Sequence, residues 1–128
     1  MTCALTVFRP NVGHPITATA NPNRIRVTVG GQVVAETTWG ISVREAFYPR
    51  VLYVPMADVD QSLIQKTEHT SYCPYKGEAS YYSIPIGGAK SRNAMWTYEN
   101  PRPPVAVLQH YVAFDPRKVD SIEEFPEA

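Results

Sequence analysis

Arg24-Ile-Arg-Val-Thr-Val-Gly-Gly-Gln-Val-Val-Ala-Glu-Thr-Thr38 decides the fold class. Ile25, Val27 and Val29 alternate with Arg24, Arg26 and Thr28, which is the period of a strand with one wet face. Gly30-Gly31 then supplies two residues able to take positive φ, so Gln32 to Thr38 returns as the partner strand of a hairpin. Working outward, Trp39 to Glu45 alternates again, Arg50 to Val54 is a short strand stopped by Pro55, and Tyr111 to Phe114 is a last strand ended by Asp115-Pro116. Glu78 to Ile86 and Ala89 to Glu99 flank Gly87-Gly88 and read as a second tight hairpin. Twelve prolines and seven glycines in 128 residues leave helix only short places, at 58–66 and 103–109. The expectation is a mainly β domain: a small twisted antiparallel sheet or partly closed barrel of six or seven strands with two short helices. Residues 1–23 lack a period and read as an N-terminal arm, 24–119 as the β domain, and 120–128 as a loose acidic tail.

Twelve Lys and Arg balance twelve Asp and Glu, so no global field recruits nucleic acid or a membrane surface. The balance is uneven along the chain, since Asp120, Glu123, Glu124 and Glu127 leave residues 1–118 with twelve bases against eight acids, a net of +4. The longest uncharged apolar run, Val51 to Ala57, is seven residues and contains Pro55, too short to cross a bilayer. Met1 to Pro10 has no basic region and too little apolar length for a secretion signal, so a cytoplasmic location is expected. Cys3 and Cys73 then suit a reduced compartment as free thiols, the alternative being a disulfide between them.

Candidate chemistry gathers in His69-Thr-Ser-Tyr-Cys73-Pro-Tyr75-Lys76-Gly77, within a segment from Thr67 to Gly77 that reads as a loop. Cys73 becomes a nucleophile if Lys76 or a protonated His69 stabilises its thiolate, and His69 is a candidate acid or base. Parity puts Glu45 on the face of Trp39, Ile41 and Val43, where a carboxylate needs a cation, a proton or a cavity, unless the strand ends at Arg44 and Glu45 is a solvated turn residue. Tyr75, Tyr82, Trp96 and Tyr98 are candidate ligand-stacking residues; Trp96 and Tyr98 share a face, whereas Tyr81 and Tyr82 face opposite ways. His69 and Cys73 alone are too few for zinc, and Asp58-x-Asp60 reads as helix capping rather than a magnesium site, so no metal or cofactor is expected.

His14-Pro15-Ile16, the glycine hairpin, Tyr53-Val54-Pro55, the His69 to Gly77 block, Asn93-Ala94-x-Trp96-x-Tyr98-Glu99 and Ala113-Phe114-Asp115-Pro116 together resemble the DUF427 family, over about residues 14 to 122. The resemblance implies a compact, mainly antiparallel β domain and no settled activity. A nucleotidyltransferase label circulates for the family, with no support in these residues beyond Asp58 and Asp60. Its motif positions fall on His69, Cys73, Tyr75, Lys76, Trp96, Tyr98 and Glu99.

Two readings follow. In the first, the chain binds a small, possibly anionic molecule, with or without a reaction, in a pocket where Glu45, His69, Cys73 and Lys76 converge with the aromatic residues. Lys76 is then partly exposed, binds the anion and matters little for folding. In the second, the chain is a structural or interaction module and the same block is a rigid turn set by Pro74 and Gly77. A homodimer is expected from the edges an open sheet has to hide, and from the two copies found in some longer relatives.

Overall fold

A computed structural model describes residues 16–127. Its ten strands are β1 (Ile16–Asn21), β2 (Arg24–Val29), β3 (Gln32–Thr37), β4 (Gly40–Glu45), β5 (Val51–Pro55), β6 (Gln65–Cys73), β7 (Gly77–Ser83), β8 (Met95–Thr97), β9 (Tyr111–Phe114) and β10 (Ser121–Phe125). Seven form one antiparallel sheet in the order β1-β4-β5-β9-β8-β7-β6, and three form a second in the order β10-β2-β3. Among the described residues β1 and β6 do not meet, so the large sheet is open and no barrel closes. Helix is limited there to short 3-10 segments, of which Pro103–Leu108 matches the expected second helix.

The glycine hairpin forms as its pattern requires. Gly30 and Gly31 both take positive φ, 58° and 78°, and Ile25, Val27 and Val29 are buried. These three, with Val34, pack against Val54, Met95, Val112 and Phe114 on one face of the large sheet. The opposite face carries a row in direct register, Tyr81 beside Trp96, Trp96 beside Ala113, Ala113 beside Tyr53 and Tyr53 beside Ile41. Val105 and Leu108 pack on that second cluster, so each face of the large sheet has its own core.

Several expectations are corrected, each for a local reason. Residues 16–21 are not an arm but β1, paired with β4 throughout; its Ile-Thr-Ala-Thr-Ala alternation is too weakly apolar to stand out as a period. Gln65 to Cys73 is strand, not loop, and escapes a period-2 reading because nearly every side chain in it is exposed or half-buried. The single helix expected over 58–66 is two 3-10 turns, Met56–Asp58 and Gln61–Leu63, parted at Val59, which bridges to Ala35. Gly87 and Gly88 sit inside a 3-10 segment, Pro85–Ser91, instead of a two-residue turn. The acidic tail is not loose: 121–125 is β10, laid antiparallel on β2.

Gly87 is needed for close approach. A Cβ there would lie 2.0 Å from Ser91 Oγ and 2.8 Å from Val29 Cγ1, and Ser91 is itself buried and donates to the Lys118 carbonyl. Gly87→Ala is therefore expected to destabilise by about 1–3 kcal/mol, as overpacking does. Urea unfolding reads this directly, and an unchanged midpoint would show that the Ser91 segment yields freely.

Candidate functional site

The tight turn after β6 reverses the chain at Pro74 to Lys76, closed by Lys76 N–H donating to the Cys73 carbonyl at 3.2 Å. Gly77 follows at φ 115°, a conformation that favours glycine. The turn drives the Lys76 side chain under the sheet, where it is fully buried. Its Nζ donates to Tyr53 Oη at 3.1 Å, and Trp96 Nε1 donates to the same oxygen at 3.3 Å. The ammonium nitrogen also stands 4.5 Å from the Tyr98 ring centroid and 5.7 Å from that of Tyr53, within cation–π reach of both.

Glu45, buried at the end of β4, acts on this amine electrostatically. Burial pushes the Lys76 pKa down to about 7, with the Glu45 charge opposing the fall. Burial also raises the Tyr53 and Tyr98 phenols, with Glu45 adding to both. Tyr53 is thus a neutral phenol whose oxygen receives two N–H donors.

A cleft of about 820 Å³ opens beside Trp96. Trp96 and Tyr81 contribute to its lining, the His69 ring stands edge-on to Tyr81 with centroids 4.5 Å apart, and Arg50, Arg117 and Lys118 supply cations. Arg50 is held by the Glu124 carboxylate, which also accepts from Asn21 Nδ2 at 3.0 Å and Asn23 Nδ2 at 3.1 Å. These bonds, Arg50 first, hold the Glu124 pKa down at about 2 despite partial burial. Arg117 pairs with Asp115 yet leaves most of its side chain in solvent. Among the described residues no group of three His, Cys, Asp or Glu could hold a metal ion.

A family model described as a domain of unknown function, DUF427, matches residues 17–124. The chain belongs to this family. The match runs from β1 into β10 and so takes in both sheets of the DUF427 domain. Comparison with curated proteins gives no match.

The residues singled out in the sequence divide between two places in the DUF427 domain. Glu45, Lys76, Trp96 and Tyr98 come together around Tyr53, and Tyr75 packs half-buried against the same cluster. His69 is exposed on β6 and lines the cleft instead. Cys73 lies in the buried cluster but is disulfide-bonded, and no described cysteine is free. The thiol nucleophile is therefore corrected, because a disulfide sulfur carries no thiolate; the expectation for Cys3 lies outside the described residues. Tyr82 is corrected as well: it pairs with Met95 and packs on the other face of the sheet, and Tyr81, its neighbour, shares the face of Trp96. Lys76 is a buried group, not a partly exposed one.

Tyr53, the centre of the buried cluster, escaped the sequence reading. Its signal was available in the parity of β5, which sets Tyr53 opposite Ile41 on the Glu45 face. Arg50, Arg117 and Lys118 carried no local signal, since they reach the cleft from a strand end and a turn far apart in the chain.

The buried amine makes two measurable demands. Lys76→Met removes a cation that acts on the buried Glu45 carboxylate and is expected to cost roughly 3–5 kcal/mol, while Lys76→Met with Glu45→Gln costs less than the two singles summed. A lysine whose folded pKa lies at about 7 holds fewer protons when folded than when unfolded between that value and the ordinary 10.5. Stability should accordingly rise across this window and level off above it, and the rise should vanish in the double variant. Denaturant midpoints measured across that pH range check both, and a flat wild-type profile would mean that Lys76 stays charged throughout.

Proposed function

We propose that this DUF427 domain binds a small planar molecule bearing an anionic group in the cleft lined by Trp96 and Tyr81. The observation that carries the reading is the meeting, in one cavity of about 820 Å³, of two largely buried aromatic residues with cations drawn from two separate segments, Arg50 just before β5 and Arg117 with Lys118 in the 116–118 turn. Cavities of this size with apolar walls and a few converging polar groups suit small ligands. The anion-binding role passes from Lys76, which is fully buried, to Arg117 and Lys118, and His69 is the acid or base within reach of a bound ligand. Lys76 acts from behind, holding Tyr53 and through it the Trp96 indole.

A structural or interaction module is the second reading, and one observation favours it. Lys76 and Glu45 are packed into a filled core, and Cys73 is disulfide-bonded, so the His69 to Gly77 block can serve as a rigid turn.

8-Anilinonaphthalene-1-sulfonate, an anion with a planar naphthalene ring, separates the two in a Trp39→Phe background, where Trp96 is the remaining indole. The ligand reading expects saturable quenching of Trp96 by the folded protein, weakened at least about tenfold by Arg117→Glu with Lys118→Glu, which corresponds to roughly 1.4 kcal/mol. Absence of saturation, or quenching indifferent to both charge reversals, would leave the structural reading.

A further inference from the structure

The four outer strands of the two sheets are not alike. β6 carries Lys66, Glu68 and His69 along its edge and breaks register between Lys66 and Thr70. β10 carries Glu123 and Glu124, and β3 carries Glu36 and is bridged at Ala35 by Val59. Charges, irregular register and covering segments are how a sheet refuses an additional strand. Among the described residues β1 shows none of these along Thr17 to Ala20, although Asn21 at its end donates to Glu124 of β10. Ile16-Thr-Ala-Thr-Ala-Asn21 is uncharged, contains no proline, keeps unbroken register with β4, and exposes Thr19 and Ala20.

Exposed apolar side chains stand at both ends of the same edge. Trp39, 74% exposed, precedes Gly40, the partner of Asn21. At the other end Glu45 pairs with Ile16, and the turn that follows presents Phe47 fully exposed and Tyr48 at 55%. Ala46 holds that turn at φ 46°, a left-handed conformation uncommon for a residue with a side chain. Next to Trp39 an apolar cavity of about 620 Å³ is bounded by Ala18, Ala20, Ile41 and Val107.

We propose that β1 is the interface of a homodimer, pairing antiparallel with β1 of a second copy about a twofold axis perpendicular to the sheet. A second copy fits better than a foreign strand for two reasons. Self-pairing sets small neutral side chains against one another and opposes no like charges. Antiparallel pairing also reverses the ends of β1, so the Trp39 end of one protomer and the Phe47 and Tyr48 end of its partner lie at the same end of the seam, each one strand in from the contact, at an end of β4. Parity restricts the register further. Ala18 and Ala20 face the same side in both protomers only if paired residue numbers sum to an even value, so the axis passes through Ala18 or Thr19 and not between them.

Light scattering on the full chain tests this. The wild type is expected at twice the 14.3 kDa chain mass at high protein concentration. Thr19→Lys and Thr19→Glu each place like charges near the axis, and each is expected to weaken dimerisation at least about tenfold with little change in thermal unfolding. An equimolar mixture of the two variants should recover the dimer, because the charges are then opposite. The matched pair Ala20→Lys and Ala20→Glu repeats the test on the other face of the strand, should either Thr19 variant fold poorly. A wild-type mass of one chain overturns the proposal. A dimer that survives both charge variants, or a mixture that stays monomeric, assigns the contact to another surface and overturns it equally.

Discussion

One phenol oxygen organises the buried half of this domain. Tyr53 Oη receives the Lys76 ammonium and the Trp96 indole N–H, and so joins the β6–β7 turn, the interior strand β5 and the short strand β8 at a single atom. An amine taken wholly out of water is costly unless hydrogen bonds and opposite charge replace its hydration. Here the replacement comes from Tyr53 Oη, the Tyr98 ring face and the nearby Glu45 carboxylate, each contributed by a different segment. The fold therefore cannot relax one of these segments without stranding a charge. The same bond fixes the Trp96 ring, so the buried ion cluster and the open cleft share a wall.

The legible parts of the fold were those where one face is dry and the other wet. β2 reads at sight because its burial alternates residue by residue, and β4 places Glu45 inward on parity alone. β6 was illegible for the opposite reason: as an edge strand of polar residues it has little dry face to generate a period. β1 lies between, with alanines and threonines whose hydrophobic contrast is too small to mark a strand until β4 is seen to pair with it. The tail misled through its charge, because Glu123 and Glu124 look like solvated acids while the backbone beside them completes a sheet.

The candidate site shows how far a motif can be trusted. His69, Cys73 and Lys76 lie within eight residues, yet a strand and a tight turn send His69 to the cleft and the other two into the core. Proximity in sequence indicated that the segment is special and said nothing about which residues share a cavity. The convergence of Glu45 with Lys76 was legible because a buried carboxylate and a motif cation each need a partner. Tyr81 and Tyr82 show the limit of parity, which establishes that two adjacent residues part ways but leaves open which of them joins Trp96.

The cleft owes its shape to the tail. Glu124, on β10 of the small sheet, grips Arg50 at the start of β5 in the large sheet and accepts from Asn21 and Asn23 beside β1. A carboxylate with this many donors stays ionised into strong acid, in keeping with its depressed pKa. Its grip spans the two sheets where they part, so it sets one wall of the cleft and neutralises the cation nearest that wall. The cations left to meet an anion are then those of the 116–118 turn, Arg117 with most of its side chain in solvent and Lys118 beside it. Under the proposed reading that asymmetry would orient a ligand, with its charged group at the turn and its planar part toward Trp96 and Tyr81, beside which His69 stands.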